Sequence, residues 1–161
     1  MAIDKKKEIE VRIGEMEVAA APYTLKALLG SCVALILYDK VNRVGGLAHI
    51  FLPTKAMAKK GDDYPDSRFA DSAVPSLLQA VIKSGAKKSN VVAYVVGGNN
   101  IFRKFNKSDK PSIAQQNIDA TIKAIQKENL FMINCGVGKD TGSKVRIDLS
   151  TGDIIVTEIK K

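Results

Sequence analysis

The sequence predicts an α/β fold: a layered α/β sandwich with mixed, largely antiparallel β-sheets and two main helices. Two continuous apolar runs, Cys32–Tyr38 and Val44–Leu52, flank a polar turn. Strands apolar on both faces belong inside a sheet that is covered above and below. Two segments, 69–84 and 112–127, repeat apolar residues every three or four positions, which is the helical period. The elements run strands, helix, strand, helix, strands, an order that layered domains produce.

Residues 8–20 alternate through Val11, Ile13, Met16 and Val18 and read as one or two strands broken at Gly14. Residues 21–30 are less regular and end at Gly30. The two apolar runs form a hairpin across Asp39-Lys40-Val41-Asn42-Arg43, a turn by composition. Pro53 ends the second strand, and the polar residues 54–66 read as an exposed loop. Phe69 to Ser84 is helical, with Ala70, Ala73, Leu77, Ala80 and Val81 on one face and Gly85 as its stop. Val91–Val96 is a buried strand ending in Gly97-Gly98-Asn99-Asn100, and 103–110 is basic and polar. Pro111 or Ser112 opens a second helix to about Lys127, with Ile113, Ile118, Ile122 and Ile125 inward. Phe131–Val137 is a strand. Lys144–Leu149 and Ile154–Ile159 form a second hairpin across Ser150-Thr151-Gly152-Asp153.

With 161 residues the chain fits one domain over 1–161, and residues 1–8 are expected to be flexible. Hydrophobic residues make up 45% and charged residues 26%, which suits a packed core. No apolar run approaches the ~18–20 residues that span a bilayer. The start has charge without an apolar stretch behind it, so no secretory signal is expected and the cytoplasm is the expected compartment. Two cysteines and one histidine leave a zinc site short of ligands, and the reducing compartment disfavours a disulfide framework. The net charge of +8 raises the question of nucleic acid. The basic residues are dispersed and not interleaved with aromatics, so no nucleic-acid partner is expected. A solvated basic surface able to dock an acidic protein partner is the reading kept.

His49 is the one imidazole available for proton transfer near neutral pH. Cys32 follows Gly30-Ser31 at a strand entry, where glycine lets a substrate approach the backbone and N–H groups can serve an oxyanion. A thiol needs a base to become a thiolate. If the turn pairs Asp39 with Val44, then Cys32 opposes Phe51 and Ala34 opposes His49. Cys32 and His49 are then diagonal on one face, about 7–8 Å apart at Cα. A slip of two residues keeps them on one face; a slip of one separates them. Alone, each residue reads as core; together on one face they point to chemistry. Cys135 lacks such a setting and reads as core.

Several segments together resemble the CheD family of chemoreceptor glutamine deamidases. They are Leu29-Gly30-Ser31-Cys32-Val33, Gly46-Leu47-Ala48-His49-Ile50-Phe51-Leu52-Pro53 and Phe69-Ala70-Asp71-Ser72-Ala73-Val74-Pro75. Gly97-Gly98-Asn99-Asn100-Ile101-Phe102, Asn117 and Asp140-Thr141-Gly142 follow in the right order. The resemblance implies a sandwich related to the catalytic domain of deamidating bacterial toxins, Cys32 as nucleophile and His49 as base. It implies a thioester route from glutamine to glutamate that requires no metal or organic cofactor. A family threonine that orients the histidine stands six residues before the cysteine; here that position is Lys26. Thr24, two residues earlier, and Ser31, beside the thiol, are the candidates for a third member. Gly97, Gly98 and Asn99 read first as a turn, and by resemblance as part of a rim that binds the glutamine side chain together with Gly30. The implied partners are methyl-accepting chemotaxis receptors, met peripherally, and a CheC-type phosphatase. Lys26 also motivates a rival reading, an adaptor of low activity that binds receptors or the phosphatase.

Overall fold

A computed structural model describes residues 7–101 and 110–159. Strands β1 (Glu8–Glu10), β3 (Thr24–Leu29), β8 (Gly142–Asp148) and β9 (Ile154–Ile159) form a sheet in the order β1-β3-β8-β9. Strands β2 (Met16–Ala20), β5 (Val44–Ile50), β4 (Val33–Asp39), β6 (Val91–Gly97) and β7 (Phe131–Val137) form the larger sheet in the order β2-β5-β4-β6-β7. Helices α1 (Ala70–Lys83) and α2 (Ile113–Lys127) complete the fold. Only β1–β3 and β6–β7 pair parallel; the other neighbours are antiparallel.

Strand β4 explains the layering. Val33, Leu35 and Leu37 pack with Ala73, Leu77 and Val81 of α1 and Ile118 and Ile125 of α2. Cys32, Ala34, Ile36 and Tyr38 pack the other way, against Leu25, Ala27 and Leu29 of β3 and Val145 and Ile147 of β8. Alternation along a strand sends successive side chains to opposite faces, so an unbroken apolar run is what a strand between two cores needs. The layers are therefore helices, larger sheet, smaller sheet, and the expected sandwich is the observed one.

The β4–β5 turn fixes the register. The buried Asp39 carboxylate accepts from Val41 N at 2.9 Å, Asn42 N at 3.0 Å, Asn42 Nδ2 at 2.7 Å and Lys87 N at 2.8 Å. Burial alone would raise its pKa, but the bonds from Asn42, Lys87 and Asn90 outweigh that and hold the carboxyl at about 2. Asp39 pairs with Val44 and Ala34 with His49, the expected register.

Residues 8–20 give two strands, as expected, and these belong to different sheets. Three expectations need correction. Residues 21–30, read as less regular, contain β3, whose Leu25, Ala27 and Leu29 line the core between the sheets. Ile113, expected inward on α2, is exposed, because Ser112 caps the helix and its first residue lies beyond the packed face. Cys135 lies half-buried on the edge strand β7 and only borders the core. Of the reading of 103–110, residues 103–109 fall outside the described residues, as do residues 1–6 of the stretch expected to be flexible; Glu8 opens β1. Among the described residues no helix is long and apolar enough to cross a membrane.

Candidate active site

Cys32 stands one residue before β4, and His49 stands one residue before the end of β5. The register puts both on the face that looks toward the smaller sheet. Both are nearly sealed, at 5% and 3% exposure.

The imidazole is gripped from one side. His49 Nδ1 lies 2.9 Å from the main-chain oxygen of Val11. A carbonyl only accepts, so the ring proton sits on Nδ1 and Nε2 carries a bare lone pair. That Nε2 is buried and has no hydrogen-bond partner among the described residues. The Val11 carbonyl is itself held, because Val11 N donates to Lys26 O at 2.8 Å. The His49 backbone is bound to the same loop: its N–H donates to Glu15 O at 2.9 Å and its carbonyl accepts from Gly14 N at 2.8 Å.

The nucleophile loop is pinned through three consecutive carbonyls. Asn99 N donates to Gly30 O at 2.8 Å, Asn117 Nδ2 to Ser31 O at 3.1 Å and Gly98 N to Cys32 O at 2.7 Å. In a trans peptide the N–H points opposite to the C=O. The N–H groups of Ser31 and Cys32 therefore face away from the scaffold, and among the described residues they donate to nothing. A Cβ built on Gly30 meets nothing within 4 Å, so this side of the loop is open to an incoming group.

Burial sets the resting charge state. It pushes the Cys32 thiol up to about 11, against the pull of the Arg68 charge. It pushes His49 below its ordinary value, against the Val11 carbonyl and Glu15. Both effects favour a neutral thiol beside a neutral imidazole. Among the described residues no group of three or more His, Cys, Asp or Glu side chains is placed to hold a metal ion.

The model of a known family, described as CheD chemotactic sensory transduction, matches residues 51–158. The chain is 34% identical over 148 residues to a Methanococcus maripaludis protein named "Probable chemoreceptor glutamine deamidase CheD", covering 92% of this chain and 93% of that one.

The chain belongs to the CheD family.

Another member, from Moorella thermoacetica, is 35% identical over 160 residues, 98% of this chain and 95% of its own. The Halalkalibacterium halodurans chemoreceptor glutamine deamidase CheD is 32% identical, over 89% of this chain and 88% of its own. A solved Neisseria meningitidis protein of family DUF152 has a TM-score of 0.48 and 8% identity, over 77% of this chain and 52% of its own.

In this CheD chain the candidates for a third member do not meet the histidine. Leu25, Ala27 and Leu29 face the core between the sheets, so Thr24 and Lys26 point to the outer face of β3. There Lys26 Nζ bonds Glu8 Oε2 at 3.2 Å, and Glu8 also pairs with Arg146. His49 Nδ1 meets the Val11 carbonyl instead, and Lys26 contributes through its main-chain oxygen, which accepts from Val11 N. The Ser31 hydroxyl has no hydrogen-bond partner among the described residues, while its carbonyl serves the scaffold.

Gly97, Gly98 and Asn99 support the loop from below. A Cβ on Gly97 would lie 2.5 Å from Cys32 O, and one on Gly98 would lie 2.4 Å from Ile118. Both glycines have positive φ, at 97° and 58°. Asn99 is fully buried, and its amide bonds Leu29 O at 3.3 Å and Ser143 Oγ at 3.1 Å. These contacts leave the Asn99 side chain turned toward the scaffold.

Sequence reasoning missed the roles of Asn117 and Arg68. Asn117 Nδ2 donates to Ser31 O and, at 3.0 Å, to Phe51 O, tying the nucleophile loop to the continuation of β5. The signal was a lone amide on the apolar stripe of α2, beside Ile118. Arg68 follows a polar loop and carried no signal of its own.

Proposed function

We propose that this chain is a cytoplasmic protein-glutamine deamidase that acts on chemotaxis receptors through a Cys32 thioester. The observation that carries the reading is the bare, buried Nε2 of His49 on the same face as Cys32. The names of the relatives, which describe chemoreceptor glutamine deamidases, supply the substrate class.

The chemistry follows from the neutral resting pair. A glutamine side chain enters over the open side of Gly30. His49 Nε2 takes the thiol proton, and the sulfur so freed attacks the carboxamide carbon. The N–H groups of Ser31 and Cys32 receive the oxyanion, worth about 3–4 kcal/mol per well-placed donor. Protonated His49 returns its proton to the leaving nitrogen, and ammonia departs. Neutral His49 then takes a proton from water, whose oxygen opens the thioester to glutamate; the proton passes back to sulfur. Each turnover replaces an amide by a carboxylate, which changes charge repulsion on a receptor's helical bundle. Gly97, Gly98 and Asn99 act by holding the Cys32 loop. The further partner is a CheC-type phosphatase that occupies the same site.

The test is to incubate the protein with receptor cytoplasmic domains and map amide-to-acid conversion by peptide mass spectrometry. Conversion at defined glutamines, lost in Cys32→Ala and His49→Ala, is expected. Receptor binding without any conversion would restore the adaptor reading.

A further inference from the structure

Among the described residues Arg68 is a cation without an ion-pair partner. It closes a short 3-10 turn, Asp66–Arg68, before α1. Its guanidinium lies over the Phe51 ring at 4.5 Å to the centroid and over the Tyr64 ring at 4.0 Å. No carboxylate among the described residues lies within ion-pair distance of it, and its Nε is buried with no acceptor. Its backbone is bound where the rings need it: Phe51 N and Leu52 N donate to Arg68 O at 2.9 and 3.1 Å, and Ser67 Oγ donates to Gly14 O at 2.7 Å. Clamping a guanidinium between two rings removes part of its water and fixes its plane, which strengthens its demand for a negative charge nearby.

The register says where that charge arises. The last β4–β5 pair is Val33 with Ile50, and just beyond it Phe51 packs against the core cluster that contains Cys32. The ring that carries Arg68 thus borders the core that holds the nucleophile.

We propose that Arg68 is a positioning residue for the thiolate: the Phe51–Tyr64 clamp holds its positive charge beside Cys32, where it stabilises the negative sulfur formed when His49 removes the proton. This rests on the deamidase reading for its purpose but not for its test. The other titratable groups on the layers around Cys32 are His49 on β5, with Glu15 acting on it, and, further along the same sheet face, Tyr38, Tyr94 and Cys135. None of these is a resident cation, and among the described residues β3 and β8 present Leu25, Ala27, Leu29, Ser143, Val145 and Ile147 to this core, none of them charged. Arg68 is also the charge that opposes burial at the thiol.

The test compares alkylation of Cys32 by anionic iodoacetate and by neutral iodoacetamide, with Cys135 resolved by peptide mapping. The ratio of the two rates cancels accessibility and reads the local charge. Arg68→Gln is expected to lower the iodoacetate preference several-fold. It is also expected to slow iodoacetamide alkylation about tenfold at fixed pH, the effect of raising the thiol pKa by about one unit. Arg68→Lys should keep much of the preference, and thermal unfolding should show both variants folded. An unchanged ratio in folded Arg68→Gln overturns the proposal. Because no receptor is present, that result leaves the deamidase reading standing. Conversely, a wild-type protein that shows the ratio but never deamidates a receptor removes the activity and keeps the charge effect.

Discussion

His49 and Val11 are joined side chain to main chain: the imidazole Nδ1 lies 2.9 Å from the Val11 carbonyl. A main-chain oxygen orients the ring, so the identity of side chains nearby matters less than the path of the backbone. Thr24→Ala and Lys26→Ala should therefore keep wild-type kcat/KM in receptor deamidation. His49→Ala should lose about 10²- to 10⁴-fold. A loss of that size in Thr24→Ala would show that a threonine hydroxyl orients the ring in the working enzyme.

The buried imidazole makes stability depend on pH with a defined sign. Its folded pKa lies below the ordinary 6.5, so between the two values the unfolded chain binds more protons. Stability falls as pH drops through 6.5 toward the folded value. Melting curves on either side of 6.5 should show wild type losing more Tm on acidification than His49→Gln. Activity should fall on the acid side of the lowered imidazole pKa and show no alkaline limb from the thiol until about 11.

Asn117 closes two part-buried carbonyls at once, and its removal leaves Ser31 O and Phe51 O without their donor. Asn117→Ala should cost about 2–3 kcal/mol in stability. It should also reduce kcat more than it raises KM, because the loop that aims Cys32 loosens. Asn117→Asp should be worse, since a carboxylate would face two carbonyl oxygens with no proton to give. Chemical unfolding and steady-state kinetics on the same samples check both parts.

Gly30 and Gly97 should separate substrate access from scaffold. Gly30→Ala adds a methyl into open space and should leave Tm unchanged while lowering kcat/KM, because that methyl stands where the glutamine side chain enters. Gly97→Ala puts a Cβ 2.5 Å from Cys32 O at a φ of 97° and should lower Tm as well as activity. Equal Tm losses in the two variants would remove the distinction.

The strands and helices of the described residues were legible where pattern and burial agree. Strands β4 and β5 lie between two cores, so their apolar runs are continuous, and the polar turn around Asp39 fixes which residues face one another. That local constraint was enough to put Cys32 and His49 on one face before any coordinates were known. Strand β3 was harder to read because its outer face carries Thr24, Lys26 and the exposed Leu28, which blurs the alternation.

What the sequence determined by itself was the pair Cys32 and His49, since register within a hairpin is a short-range property set by turn length and side-chain period. What only the tertiary structure decided was everything that supports the pair. The Val11 carbonyl reaches His49 across 38 residues, Asn117 reaches Ser31 across 86, and the partners of Arg68 come together only where the β5 continuation meets the turn before α1. Main-chain acceptors leave no mark on composition, and contacts between distant segments depend on how layers pack. The opposing faces of β3 show the same limit: Thr24 is close to the required place along the chain, yet the pleat turns it away from the ring it was expected to hold.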